Sequence, residues 1–276
     1  MVMVGIQSFA RALTTGICMA SIHRKRARFE PVTGGRVKRY DALMITKTLI
    51  NQLREFDTPL LANTIGYIDD MPDDEYYMGG SIRCMTPTLT PMVGVAFTCE
   101  IDSSSPAREK NVSPFFEQVA RMYDSQLPVV WVVRGVGSRP DHECLVGDGM
   151  AKNLRSAGCI GAVCEGGARD FAGCMATGFS VFCKGPVPHH TPFYVESTDQ
   201  PVQVGGITIN PGDILHGDGE GVIKIPATCA EALPERAIAM RGVENEFHVE
   251  LGRDDISQSR KSTVQTEYLR KYGFDV

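Results

Sequence analysis

The sequence lacks any uninterrupted apolar run of about 18 residues, which is the length that a membrane-spanning helix requires. It is therefore expected to be a soluble protein with no membrane partner. It also lacks a P-loop, an internal repeat and a low-complexity tract, so none of these features indicates its function. With 276 residues, 43% of them hydrophobic, it can bury a sizeable core.

Paired cysteine motifs are absent as well. The nine cysteines are an odd number, and no two of them form a CxxC pair. Most lie inside apolar runs, such as Cys159, Cys164 and Cys183. This usage predicts buried, reduced thiols, and it argues against a disulfide framework or a zinc cage. A reducing compartment follows, so the cytoplasm is the expected location.

Basic residues are scarce outside the first 40 positions. Residues 1–40 hold eight Lys or Arg and one acid, a formal charge of +7, which leaves 20 basic and 32 acidic residues, or −12, for the remainder. An acidic body argues against a nucleic-acid partner. We expect residues 1–40 to form a basic, flexible N-terminal extension and residues 41–276 to form a single domain. The extension also resembles a transit peptide, which makes a mitochondrial location the alternative.

The stretch from residue 147 to 184 contains two turns that are candidate parts of a functional site, and the rest of the chain is expected to support it. Gly147 to Met150 predicts a turn into a helix that Gly158 ends, and the apolar run Cys159–Cys164 predicts a buried strand. Arg169 and Asp170 then begin a second helix, and Ser180–Cys183 predicts the next strand. This order implies parallel strands whose ends share one edge of a sheet, the usual place for a site in an α/β protein.

Flanking segments complete the expected α/β domain. Met92–Ile101 and Val129–Val133 are predicted as buried strands, and short hairpin strands follow between residues 202 and 225. Helical periodicity returns from Ala230 to Leu251. The acidic segment Asp69–Gly80 is predicted to be a solvated loop, with a lid or a subunit contact as alternatives.

The two turns carry groups that suit one kind of chemistry. Glycines on both sides of Asp148 allow backbone N–H groups to converge at a helix start, where an anion is favoured. Arg169 offers a fork that matches carboxylate or enolate oxygens, and Asp170 offers a hard oxygen ligand for Mg²⁺ or Mn²⁺. The alternative is that Asp148 and Asp170 only cap helices, while Arg169 pairs with one of them.

Two further polar features lie close to these turns in the sequence. Lys152 lies one turn after Asp148 and is expected to face solvent. His189 and His190 could form a paired-histidine metal site, but the sequence offers no third ligand nearby, so an exposed loop is the alternative.

Asp148, followed by twenty residues and then Arg169-Asp170, resembles the D-x20-R-D signature of a known family. That family contains the regulator of ribonuclease activity A and the 4-hydroxy-4-methyl-2-oxoglutarate aldolases. The similarity continues in Phe56–Pro59 with Asn63, in Pro91–Ala96 and in the segment from Gly205 to Pro226. It extends over roughly residues 47–272 and leaves out the basic extension.

The resemblance implies a fold, an assembly and a function. The fold would be an α/β swivelling β/β/α domain, the αββα sandwich of RraA-like proteins, assembled as a homotrimer or homohexamer with sites between subunits. The function would be that of a metal-dependent class II pyruvate aldolase. It would cleave 4-hydroxy-4-substituted 2-oxo acids such as 4-hydroxy-4-methyl-2-oxoglutarate, and it would also decarboxylate oxaloacetate. The alternative is a non-catalytic, protein-binding regulator of a ribonuclease or another partner.

The resemblance also implies roles for individual residues. Asp170 would bind Mg²⁺ or Mn²⁺ directly, and Arg169 would hold the keto or developing enolate oxygen of a small 2-oxo acid. Gly147, Gly149 and Met150 would form the binding site for the substrate carboxylate, through the backbone amides of the last two. Asp148 would position a water molecule for proton transfer.

The family also uses a glutamate from a neighbouring subunit close to the metal. Glu244 or Glu246 could match it, or either could be an exposed helix acid. Some positions depart from the family pattern: Gly149 replaces a common leucine, Glu165 replaces an aspartate near the site, and His189-His190 replaces a stretch in which arginine is frequent. The first departure loosens the binding site for the carboxylate, the second lengthens an acid behind the site by one methylene, and the third bears on substrate preference.

Overall fold

The computed structural model describes residues 45–89, 91–106, 108–190 and 192–276. The predicted extension, residues 1–40, lies outside the described residues. Eight α-helices are described: α1 (Lys47–Leu53), α2 (Thr58–Ile68), α3 (Asp73–Tyr76), α4 (Ser113–Ser125), α5 (Asp148–Ser156), α6 (Phe171–Ala176), α7 (Leu233–Leu251) and α8 (Gln258–Lys271).

Eleven strands accompany them: β1 (Arg83–Cys84), β2 (Met92–Asp102), β3 (Val129–Gly135), β4 (Cys144–Val146), β5 (Cys159–Ala168), β6 (Ser180–Pro186), β7 (Tyr194–Thr198), β8 (Val202–Val204), β9 (Ile207–Ile209), β10 (Ile214–Asp218) and β11 (Gly221–Ile225). Nine of them form one mixed sheet along the path β1-β6-β5-β3-β2-β10-β11, with β4 added to β5 and β7 added to β2. Strands β8 and β9 form a separate hairpin.

Strands β2, β3, β5 and β6 are parallel, so their carboxyl ends lie on one edge. In β3, Val129, Trp131 and Val133 face one core cluster while Val130 and Val132 face another. Burial on both faces explains why these strands are continuous apolar runs without polar alternation. The predicted parallel arrangement of β5 and β6 is confirmed.

The segment around β1 connects the two ends of the sheet. Tyr77 bridges to Ile223 in β11, and β1 pairs with β6 a few residues later. The prediction of a solvated loop over Asp69–Gly80 is therefore confirmed only in part, because most of these residues are exposed but Tyr76 and Met78 are buried. The acidic residues do form an exposed turn of helix in α3, but Tyr76 is buried, and burial together with Asp73 raises its pKa to about 12. The buried tyrosine fixes a segment whose overall composition is polar.

Helices cover the sheet in two groups. Helices α4, α5 and α6 pack on the core around Trp131, whereas α1, α2, α7 and α8 enclose a second core beside β2, β10 and β11. Trp131 Nε1 donates to Gln118 Oε1 at 3.0 Å, and Gln118 Nε2 donates to the carbonyl of Thr98 at 2.8 Å. This buried chain of hydrogen bonds fixes α4 on the sheet.

Two properties predicted from composition can be compared with the structure. The eight described cysteines are all unpaired, and six of them are buried, as the sequence predicts. Within the described ranges, no helix is both long and apolar enough to cross a membrane.

Candidate active site

Both site turns follow neighbouring parallel strands. Strand β4 pairs with the end of β5, with Val146 opposite Ala168, and the amide of Arg169 donates to the carbonyl of Val146 at 2.9 Å. The residues that follow these strands are Gly147 and Arg169. The common edge predicted from the sequence is therefore confirmed, although β4, the strand that brings the first turn to it, was not predicted.

Gly147 is the point on which the side chains of the second turn converge. The Cβ that alanine would add here would lie 3.1 Å from Asp170 Oδ2 and 3.2 Å from Arg169 Nε. These two atoms are themselves 3.2 Å apart. A glycine is favoured at position 147 because the arginine and the aspartate lie directly over its Cα.

Asp148 is the first residue of α5 and packs against α6. A Cβ at Gly173 would lie 2.7 Å from Asp148 Cβ, which is too close for ordinary contact, so the glycine allows the two helices to approach. Lys152 Nζ lies 2.6 Å from Asp148 Oδ2. Lys152 is thus exposed, as predicted, but it also pairs with the candidate acid. Hydrogen bonding to Lys152 is the main reason that the pKa of Asp148 is lowered, so the side chain is a carboxylate at neutral pH.

The first turn of α5 offers backbone donors beside that carboxylate. Gly147 is the N-cap, with extended backbone, and its carbonyl accepts the first helical hydrogen bond from Ala151 at 2.9 Å. The amides of Gly149 and Met150 precede that bond and have no carbonyl partner within the helix. Convergent amides at a helix start favour an anionic group such as a carboxylate.

Asp170 does not act as a simple helix cap. It occupies the N-cap position of α6 with φ 56° and ψ 38°, but its side chain makes no capping hydrogen bond. Asp148 lies one position inside α5, where Gly147 is the cap. The alternative that both aspartates merely cap helices is therefore wrong for Asp170, whereas the carboxylate of Asp148 does accept from the first-turn amide of Gly149. The second part of that alternative is right, because Arg169 does pair with Asp170.

The oxygen donors at this edge suit a hard divalent cation. The side chains of Asp170 and Asp148 are 45% and 37% exposed, so water could complete a coordination shell around either. Mg²⁺ and Mn²⁺ are commonly held by one or two carboxylates and several waters. Within the described residues no three His, Cys, Asp or Glu side chains are grouped to hold a metal, so neither His189 nor His190 belongs to such a cluster. That donor set argues against a structural zinc site.

A cavity of about 420 Å³ opens beside these groups. One side is polar and includes Asp148, Arg169 and the first turn of α5. The other side is mostly apolar and includes Phe115, Phe116 and Phe193. No pattern in the sequence predicts these three aromatic residues as part of the site. The exposed histidines 189 and 190 also line the cavity.

The glutamates named from the sequence lie elsewhere in the same chain. Glu244 and Glu246 are on α7, which packs against α2 and α8. Asn63 Nδ2 donates to Glu244 Oε1 at 2.9 Å, and Glu246 Oε1 accepts from Lys271 Nζ at 2.7 Å. Their assignment to a site stays a prediction, because it concerns a neighbouring subunit.

Glu165 also differs from the expectation that it supports the site. Its carboxylate accepts from the amide of Gly205 at 2.7 Å and pairs with Lys184 Nζ at 2.7 Å. It therefore ties the β8–β9 turn to β5. The side chain of glutamate is one methylene longer than that of the aspartate that is usual here, so its carboxylate extends farther toward that turn.

Comparisons with known proteins concern the family and the fold. The RraA-like family, described as Aldolase/RraA, matches residues 66–224, more than half of the 276 residues. A putative 4-hydroxy-4-methyl-2-oxoglutarate aldolase of Halalkalibacterium halodurans is 34% identical over 90 residues, which is 32% of this chain and 41% of the relative. Protein DlpA of Legionella pneumophila is 31% identical over 105 residues, or 37% of this chain and 17% of the relative. The matches thus cover less than half of either curated protein.

A solved structure shows a similar fold. The crystal structure of Streptomyces coelicolor RraAS2, an unusual member of the RNase ES inhibitor RraA protein family, has a TM-score of 0.59 at 18% identity. The match covers 76% of this chain and 98% of that chain. At this identity the likeness concerns the fold alone, and the RraA-like α/β fold expected from the sequence is confirmed.

Proposed function

Because the chain belongs to the RraA-like Aldolase/RraA family, we propose that it is a class II aldolase, a carbon–carbon lyase dependent on Mg²⁺ or Mn²⁺. Its substrates would be 4-hydroxy-4-substituted 2-oxo acids such as 4-hydroxy-4-methyl-2-oxoglutarate, and it would also decarboxylate oxaloacetate. The observation that carries this proposal is the convergence of the Arg169 and Asp170 side chains at Gly147, next to Asp148 and the first-turn amides of α5.

The first turn and Arg169 would bind the 2-oxo acid end of the substrate. The amides of Gly149 and Met150 would donate to its carboxylate. The guanidinium of Arg169 would donate to the 2-keto oxygen, on which negative charge develops as the C3–C4 bond breaks. Donors that are already fixed when charge develops lower the barrier most effectively. Cleavage and decarboxylation both produce pyruvate enolate, so one arrangement of donors serves both reactions.

Asp148 would handle the proton. Its carboxylate is kept charged by Lys152, so it can orient a water molecule that takes the proton of the 4-hydroxyl group while passing one of its own protons to the carboxylate. The same water can return a proton to C3 of the enolate. Contact with Gly173 fixes the backbone from which Asp148 projects.

Asp170 would hold the cation, which, when bound, supplies Lewis-acid stabilisation of negative charge on the substrate oxygens. Arg169 Nε lies 3.2 Å from Asp170 Oδ2 and so keeps the carboxylate turned toward the substrate side of Gly147.

A protein-binding regulator without catalytic activity is the competing proposal. A binding surface has no need for two carboxylates, an arginine and the first-turn amides of a helix around one glycine. That concentration of reactive groups favours the enzyme.

The test is a pyruvate-release assay on oxaloacetate and 4-hydroxy-4-methyl-2-oxoglutarate, with purified full-length protein, with and without Mg²⁺ or Mn²⁺. We expect both substrates to yield pyruvate above the rate of the metal ion alone, and EDTA to remove that excess. If neither substrate gives pyruvate above the metal-only rate, the aldolase proposal is wrong and the regulator remains.

We further propose that Glu244 is the residue contributed by a partner subunit in a homotrimer or homohexamer. Glu246 is already neutralised by Lys271 in its own chain, which lowers its pKa, whereas Glu244 contacts the neutral amide of Asn63. Glu244→Gln is expected to lower kcat/KM at least about tenfold, and Glu246→Gln by less than about twofold. Kinetics combined with light scattering check this, and a monomeric active protein would contradict it.

A further inference from the structure

The residues that line the cavity beside the site are of two main kinds, reactive polar groups and apolar side chains. Its reactive side holds Asp148, Arg169 and the amides of α5. The remaining wall is built mainly from six apolar side chains: Val112, Phe115, Phe116, Leu145, Met150 and Phe193. A 2-oxo acid bound at the reactive side would therefore place the rest of its length along an apolar surface.

Three phenylalanines form the most distinctive part of that wall. The rings of Phe115 and Phe116 are 5.3 Å apart at an interplanar angle of 72°, and those of Phe115 and Phe193 are 6.1 Å apart at 88°. Phe115 is buried against Trp131, while Phe116 remains 54% exposed. Edge-to-face clusters of this kind readily accept another aromatic ring.

The charged side chains that line the cavity also favour an apolar substituent over an anionic one. Among the described residues that line it, Arg169 is the only Lys or Arg, and the keto oxygen engages that guanidinium in the proposed reaction. Among the lining side chains, a second substrate carboxylate would find the neutral amide of Asn153 and the two exposed histidines 189 and 190, but no second Lys or Arg. An ionised group that enters an apolar cavity without a partner is strongly disfavoured.

The cavity also has room for a large substituent. Gly149 lines it, and a Cβ at this position would have no atom within 4 Å. The volume of about 420 Å³ falls within the range of ordinary ligand pockets, about 300–1,000 Å³. A four-carbon acid would leave much of it unfilled.

From these observations we propose that the preferred substrates carry an aromatic or similarly bulky apolar group at C4, as in 4-hydroxy-2-oxo-4-phenylbutanoate; this inference rests on the proposed aldolase function. In that substrate the C3–C4 bond breaks, the 4-hydroxyl group loses its proton, and C4 leaves as the carbonyl carbon of benzaldehyde. The bonding electron pair passes to C3 as pyruvate enolate, which takes up one proton to give pyruvate. No oxidant or reductant is required.

A neighbouring cavity of about 600 Å³ offers the contrasting possibility. It shares His189 with the first and is lined by Ser103 to Ser105, Arg139 and His142. A substrate that extended into it would need a distal anionic group. The reactive residues do not line this second cavity, so we favour the apolar wall and use Arg139 to test the other outcome.

The experiment compares kcat/KM for oxaloacetate, 4-hydroxy-4-methyl-2-oxoglutarate and 4-hydroxy-2-oxo-4-phenylbutanoate with Mg²⁺ present. The wild-type protein is expected to prefer the phenyl substrate over the methyl-oxoglutarate by at least about tenfold. Phe116→Ala should lower kcat/KM for the phenyl substrate about tenfold, because one ring contact contributes on that scale, and should lower kcat/KM for oxaloacetate much less. Gly149→Leu should fill the open space and lower the phenyl rate more than the oxaloacetate rate.

Tyr123→Ala is the matched control. Tyr123 is an exposed aromatic residue on the same helix, seven positions after Phe116, and it does not line the cavity. Its loss should leave all three rates unchanged. A preference for the dicarboxylic substrate that Arg139→Ala abolishes and Phe116→Ala does not would overturn the inference while leaving the aldolase proposal intact. Absence of pyruvate from all three substrates would overturn both.

Discussion

Asp170→Asn is expected to lower metal-dependent pyruvate release from oxaloacetate at least about 100-fold while the chain stays folded. The substitution removes the negative charge that would hold Mg²⁺ or Mn²⁺ and keeps the shape of the side chain. It also respects the backbone, since φ is 56° at this position and asparagine is among the few residues that adopt this conformation readily. The measurements are initial rates over a range of Mg²⁺ concentrations and thermal unfolding.

The chain offers a closely matched control in Asp199, which has the same φ of 56° and forms an ion pair with Arg121 at 2.7 Å on another part of the sheet. Asp199→Asn should cost some stability and leave the metal-dependent rate unchanged. Asp170→Ala should be as inactive as Asp170→Asn and less stable by about 1 kcal/mol, because alanine is strained in the left-handed region. Full metal-dependent activity in Asp170→Asn would remove this residue from the proposed site.

The site turns could be predicted from sequence because their positions follow from the architecture. Parallel strands end at one edge, so polar residues directly after such strands meet there. The strand before Gly147 could not be predicted, because Cys144–Val146 is too short to show a periodicity of two. Its place depends on contacts formed only in the folded chain, such as the amide of Gly167 donating to the carbonyl of Glu143 at 2.9 Å.

Other parts of the site arise from residues that are distant along the chain. Phe116 lies in α4 and Phe193 in the loop before β7, and neither segment shows a pattern that would join them. The buried carboxylate of Glu143 accepts from the amide of Ser103 at 2.7 Å and thereby fixes the loop after β2 beside β4. A glutamate in a polar segment is predicted to be exposed. Its burial costs little only because the tertiary fold supplies hydrogen-bond donors to its carboxylate.

Stability should fall on acidification because of His216, a fully buried residue of β10. His216 Nε2 lies 3.1 Å from the carbonyl of Phe56, which can only accept, so Nε2 carries the proton. Nδ1 then accepts from the hydroxyl of Thr58 at 2.9 Å, and the ring is neutral. Burial lowers the pKa of His216 from 6.5 to about 4, against the opposing effects of Asp218 and Asp57.

The direction of the pH effect follows from proton uptake. Between pH 6.5 and about 4 the unfolded chain binds a proton at this histidine and the folded chain does not, so acidification favours unfolding. The free energy of unfolding should drop by about 3 kcal/mol across that window from this residue alone, with no further loss below it. At neutral pH the contribution is fully present.

Urea unfolding midpoints between pH 7.5 and pH 4 for the wild type and His216→Gln measure this effect. Glutamine can still donate to the carbonyl of Phe56 and does not titrate, so its stability should be lower at neutral pH and should fall less steeply on acidification. Carboxylates that also titrate in this range cancel in the difference between the two curves. His142→Gln removes an exposed histidine and should follow the wild-type slope. Parallel curves for the wild type and His216→Gln would show that the buried ring is not the source of acid sensitivity.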